Sequence, residues 1–109
     1  PKHVNAEATL TAQPLPGGVR VLNLAVNAPK KAHVLVRCTR GCRSQARTAR
    51  TLAFAKLRGT VLSSGAALKI YVTASREVGT YIEYKVHRGG VSKSQLCLAP
   101  GSLKPSRCE

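Results

Sequence analysis

Apolar and polar residues alternate with a period of two along most of this chain. In residues 3–12, Val4, Ala6, Ala8 and Leu10 fall on one face and His3, Asn5, Glu7 and Thr9 on the other, the pattern of a half-buried strand. The segment QPLPGG at 13–18 is rich in Pro and Gly and reads as a hinge or wide turn. Residues 19–27 predict a second strand with Leu22, Leu24 and Val26 inward. Val19 and Val21 fall out of that register, which predicts a bulge or a strand that changes sheets. After the turn APKK at 28–31, residues 32–38 read as a third strand.

Residues 43–59 fit two periods at once. Ala46, Ala49, Leu52, Ala53 and Leu57 form a helical stripe, whereas Thr48 and Thr51 suit a strand. We read a strand over 46–53 and a short helical turn over 54–58. The alternation is cleanest at 67–74, with Leu68, Ile70, Val72 and Ala74 inward and Lys69, Tyr71, Thr73 and Ser75 outward. Residues 80–88 repeat it with Ile82, Tyr84 and Val86 inward, Gly89-Gly90 closes the segment, and 94–99 make a last short strand. About seven short strands separated by turn signals predict an all-β fold, an immunoglobulin-like antiparallel β-sandwich. The expected organisation is an N-terminal strand arm (1–12), a Pro/Gly hinge (13–18) and a sandwich domain (19–109).

Four cysteines, Cys38, Cys42, Cys97 and Cys108, change the picture from a bare sandwich to a stapled one. The local pairings Cys38–Cys42 and Cys97–Cys108 fit best, because each enclosed loop carries Gly or Pro chemistry suited to closing it. A crossed pairing and a Cys₄ zinc site are the rivals, and the spacing lacks the C-x₂-C knuckles of zinc ribbons. A disulfide framework places the chain in an oxidising compartment, secreted or at the cell surface. The core formers are Val, Leu and Ala with Phe54 and three tyrosines, so two bridges of about 2–4 kcal/mol each weigh heavily in 109 residues. No run approaches the ~20 apolar residues of a membrane span. The Pro1 start, with no leader pattern after it, fits the mature or excised form of an exported chain.

The residues Val36-Arg37-Cys38 with Gly41-Cys42, Leu68-x-Ile70-x-Val72-Thr73 after Gly65, and Gly79-Thr80-x-Ile82 form one set of motifs. Leu96-Cys97-Leu98-Ala99-Pro100-Gly101-Ser102-x-Lys104-Pro105-x-Arg107-Cys108 is the most distinctive. On these, residues 19–108 resemble the basic, Cys-containing β-domains of secreted and surface proteins of actinobacteria, often found beside immunoglobulin-like modules. The resemblance implies a sandwich fold and an extracellular setting. It carries over no activity and no catalytic residues, and it does not extend to residues 1–12.

Catalytic chemistry is sparse. With no Asp and only Glu7, Glu77, Glu83 and Glu109, a carboxylate pair for acid–base work is not expected. His3, His33 and His87 sit on separate predicted strands, no serine lies in a nucleophile elbow, and no phosphate-loop Lys follows Gly17-Gly18 or Gly89-Gly90. We therefore expect a non-enzymatic protein with no cofactor, no metal and no small-molecule substrate. The leading expectation is a structural subunit of a surface filament, a homopolymer in which the arm adds to a neighbour's sheet through Val4, Ala6, Ala8 and Leu10. The second follows from 18 Lys and Arg against four acids, a formal net charge of +14. It is docking of an anionic cell-wall polymer or nucleic acid by Arg37, Arg40, Arg43, Arg47 and Arg50. A helix over 43–50 would align Arg43, Arg47 and Arg50 on one stripe; a strand would separate them. Tyr71 is the aromatic expected on an exposed strand face.

Overall fold

A computed structural model describes residues 2–40, 42, 45–48 and 51–108, with the backbone alone at 45–48, 51–53 and 55. Among the described residues the chain forms ten strands: β1 Glu7–Leu15, β2 Gly18–Asn27, β3 His33–Cys38, β4 Gln45–Thr48, β5 Thr51–Ala53, β6 Val61–Ser63, β7 Ala67–Thr73, β8 Gly79–His87, β9 Gly90–Leu98 and β10 Pro105–Ser106. A 3₁₀ turn at Ala55–Leu57 sits where the short helical turn was expected. One sheet has β1, β2 and β5 in order with β6 also on β2; the other runs β10-β9-β8-β7-β3-β4. Every strand pairing is antiparallel. The two sheets stack as an immunoglobulin-like sandwich, and the chain changes sheets between β4 and β5.

The alternation read from the sequence becomes the core. Val34, Val36, Leu68, Ile70, Val72, Ile82 and Val86 of the six-stranded sheet face Val19, Val21, Leu24 and Val26 of β2, all of them buried. In β2 the expected break of register is a bulge, and Leu22 is the residue it expels. Thr11 pairs with Asn23 and Ala12 with Val21, leaving Leu22 unpaired and 47% exposed. Leu22 was expected inward; the extra residue instead switches the parity, so that Val19 and Val21 share the core face with Leu24 and Val26.

The segment at 13–18 is mostly strand. β1 continues through Gln13-Pro14-Leu15 and β2 begins at Gly18, so only Pro16 and Gly17 turn. Pro14 is tolerated because β1 is an edge strand, where a missing N–H removes no ladder bond. Gly18 is demanded by its neighbour: a Cβ there would overlap the Leu62 carbonyl oxygen, as β6 lies against β2.

The arm lies in its own sandwich. Val78 N–H donates to the Lys2 carbonyl at 2.8 Å and Val4 N–H to the Val78 carbonyl at 2.8 Å, a parallel contact at the entrance to β8. Thr80 Oγ1 donates to the Val4 carbonyl at 2.7 Å. The chain then crosses to the other sheet as β1, where the Ala8 carbonyl accepts from Tyr84 Oη at 3.1 Å and Lys93 Nζ at 2.8 Å. Val4, Ala6 and Ala8 are buried in the core and Leu10 packs against it half-buried.

Both local disulfides form. Cys38–Cys42 (Cα–Cα 5.6 Å) closes the chain after β3, and Cys97–Cys108 (Cα–Cα 5.0 Å) ties the C-terminal segment to β9.

Candidate anion-binding surface

The outer face of the six-stranded sheet is built from the alternate residues that the core rejects. Arg37 of β3 lies opposite Lys69 of β7, which lies opposite Glu83 of β8. One step along, Lys85 of β8 pairs with Ala67. Neighbouring strands are ~4.8 Å apart and same-face residues ~7 Å, so Arg37, Lys69 and Lys85 share one patch roughly 12 Å across. Two further cations stand at this end of the sandwich. Arg40 follows β3 and reaches Gly65, with Nη2 3.3 Å from where a Cβ would stand. Arg88 lies in the β8–β9 turn, exposed. Glu83 is the one carboxylate in the row, and it accepts the Tyr81 hydroxyl.

Beside this patch, the row Leu35, Tyr71, Tyr81, Leu96 crosses four strands. Tyr71 was expected in solvent, but it is 7% exposed and Tyr81 4%. Together with Leu98 they make a second apolar cluster on the outside of the sheet. The tyrosine rings meet edge to face at 5.1 Å, and the Arg37 guanidinium stacks 5.5 Å over Tyr71. Apolar surface on an outer face stays dry only when covered. The Cys97–Cys108 disulfide and the β9–β10 pairing tie the C-terminal segment to β9, and Gly101, Ser102 and Leu103 come beside His33 and Thr73, next to this row. Burial, and then the hydrogen bond to the Glu83 carboxylate and its charge, push the Tyr81 phenol well above its ordinary pKa. With Phe54 and Tyr84 also buried, none of the four aromatic side chains is presented for stacking.

The arginines singled out in the sequence do not assemble as one stripe. Arg43 and Arg50 lie outside the described residues, and Arg47 is in a strand opposite Val34 rather than a helix, which removes the helical stripe. Arg37 and Arg40 are exposed and diverge, one on the sheet face and one toward β6. The partners of Arg37 come from β7 and β8, and the alternation at 67–74 already pointed Lys69 outward. Among the described residues, no three His, Cys, Asp or Glu side chains are grouped to hold a metal ion. His87 Nε2 lies 2.8 Å from Ser92 Oγ in the β8–β9 hairpin. Both are exposed, and a pair open to water lacks the desolvation that activates a nucleophile.

At the opposite end of the sheet, two hollows flank the C-terminal segment. One, of about 630 Å³, is lined by His3, Val78, Pro100 and Arg107. The other, of about 380 Å³, lies between the entrance to β3, the β7–β8 turn and residues 101–103.

No protein-family model, no curated protein and no solved structure matches this chain. No helix among the described residues is long and apolar enough to cross a membrane.

Proposed function

We propose that the chain is a non-enzymatic, extracellular binding module that docks an anionic cell-wall polymer on the outer face of its six-stranded sheet. The observation that carries this reading is the patch that Arg37, Lys69 and Lys85 form on the outer face of the sheet, with Arg40 and Arg88 standing at the same end of the sandwich. They come from separate stretches of chain, and the single carboxylate among them is already hydrogen-bonded. A field of this sign concentrates polyanions at the surface. The extracellular setting draws on the two disulfides and on the resemblance to actinobacterial surface domains. Burial of every aromatic ring favours a wall polymer over single-stranded nucleic acid, whose binders offer rings for base stacking.

Strand donation ranks second. Pro16 and Gly17 alone join β1 to β2, which favours β1 staying with its partner and leaves residues 2–6 as the part of the arm that would exchange between copies.

The test is binding to poly(glycerol phosphate) across a salt series, with Arg37→Gln/Lys69→Gln/Lys85→Gln as the variant. Five neutralised charges give a binding constant falling as roughly the fourth power of salt concentration. The triple variant should lose most of the affinity and flatten that dependence. Affinity indifferent to both salt and the variant refutes the reading.

A further inference from the structure

We propose that the hollow between β3, the β7–β8 turn and the C-terminal segment is a binding site for a phosphate group, a second anchor for the polymer docked on the sheet. The inference rests on the docking reading for its polymer, and on its own geometry for the phosphate.

The hollow has a volume of about 380 Å³ and is lined by Lys31, His33, Thr73, Ser75, Arg76 and Ser102 among its residues. These come from three separate stretches: the approach to β3, the end of β7 with its turn, and the C-terminal segment. Two are cationic side chains and three carry hydroxyls that donate hydrogen bonds without charge. No carboxylate lines the hollow; Glu77, next in the chain to Arg76, is not part of its wall. A guanidinium fork, an ammonium and hydroxyls approaching from different sides suit a tetrahedral oxyanion better than a planar carboxylate, which one fork already satisfies.

The backbone singles out the same place. Arg76 has φ 62°, and it is the only non-glycine residue at positive φ among those described. The turn is closed by Glu77 N–H donating to the Ala74 carbonyl at 3.2 Å, and glycine would occupy its third position with less strain. An arginine stands there instead and contributes to the wall of the hollow. The opposite wall, at residues 101–103, is braced by Cys97–Cys108 and by β10 on β9. Along β7, Thr73 is four residues from Lys69, about 13 Å, so one extended polymer reaches from the Arg37–Lys69–Lys85 patch to this hollow.

The experiment is an amide-resolved NMR titration of the oxidised protein with inorganic phosphate, dimethyl phosphate and acetate, each at constant ionic strength held with chloride. Saturable shifts at Ser75, Arg76 and Ser102 with both phosphate probes, weakened at least tenfold in Arg76→Gly and in Lys31→Gln, support the site. Glycine is at ease at φ 62°, so Arg76→Gly should melt no lower than the parent and its loss of binding cannot be blamed on unfolding. Shifts that follow ionic strength alone, or acetate binding as tightly as phosphate, overturn the proposal. Failures separate cleanly. If phosphate saturates the hollow but poly(glycerol phosphate) is not retained, the docking reading falls and the site stands. If Arg76→Gly holds the polymer as tightly as the parent, the hollow is no anchor for it.

Discussion

Replacing Thr80 by Val removes one hydroxyl and almost nothing else, and it tests how the N-terminal arm is held. Thr80 is, among the described residues, the one buried polar side chain of the core, 6% exposed, and its Oγ1 donates to the Val4 carbonyl at 2.7 Å. Valine keeps the β-branched shape that β8 accommodates, so packing changes little. The lost hydrogen bond is worth about 1 kcal/mol net, and a buried carbonyl deprived of that donor adds up to about 2 kcal/mol more. At about 4 °C per kcal/mol for a domain of this size, the melting temperature should fall by roughly 4–12 °C. Tyr84→Phe is the control. The Ala8 carbonyl keeps Lys93 Nζ at 2.8 Å when the tyrosine hydroxyl goes, so that variant should lose no more than about 1 kcal/mol. Urea denaturation gives the two energies, and hydrogen exchange of the Val4 and Val78 amides reports on the arm itself. In Thr80→Val those two amides should lose protection before the rest of the sheet. Equal effects of the two substitutions, or unchanged protection at Val4, would refute the account. A melting temperature that rises with protein concentration would show the arm crossing between copies.

Three further outcomes follow from the same contacts. Gly18→Ala should destabilise by about 1–3 kcal/mol in thermal melts, since its methyl group overlaps the Leu62 carbonyl and forces β6 away from β2; a neutral result would mean that this edge of the sheet yields freely. Breaking Cys97–Cys108 by a double Ser substitution should cost about 3 kcal/mol from loop closure, read as a lower midpoint in urea denaturation; an unchanged midpoint would mean that the bridge closes no loop the unfolded chain would otherwise explore. Because the folded Tyr81 phenol holds its proton above its unfolded value, its stabilising contribution is complete below pH ~10 and is lost as the pH climbs beyond it. Native absorbance should therefore show a tyrosine step at higher pH than the urea-unfolded chain. Glu83→Gln should lower that step without abolishing the difference, because burial is the larger cause; coincident native and unfolded titrations would contradict the assignment.

Strands declared themselves wherever one face meets the core and the other meets water. Leu68, Ile70 and Val72 alternate with Lys69 and Thr73, and that local rhythm survives folding unchanged. The rule fails where both faces are covered. Tyr71 looked like a solvent-facing residue because nothing within β7 reveals that Leu35, Tyr81 and Leu96 from the flanking strands, with Arg37 stacked over its ring, gather on that side of the sheet. Leu22 misled for a different reason: a bulge changes parity at one residue, and periodicity tells that a break exists but not which residue is expelled.

The candidate site was less legible than the fold. Arg37 was picked out by its place in a run of arginines, yet its neighbours on the surface are Lys69 and Glu83, more than thirty residues away in the chain and brought alongside by strand register. Charge clusters along a sequence are local, whereas charge clusters on a sheet are set by which strands lie side by side.

By itself the sequence determined the all-β class, the net charge of +14 and the faces of the regular strands, and it favoured the turn-closed local disulfides over the crossed pairing that the structure then set aside, because each depends on neighbours within a few residues. Tertiary structure alone decided that Pro14 and Leu15 belong to a strand, and that the arm rests between Val78 and Lys93. It alone brought Lys31 and Arg76 to one hollow. Those outcomes depend on long-range pairing, in which backbone donors and acceptors from distant segments satisfy one another, and no local pattern of side chains encodes the choice of partner.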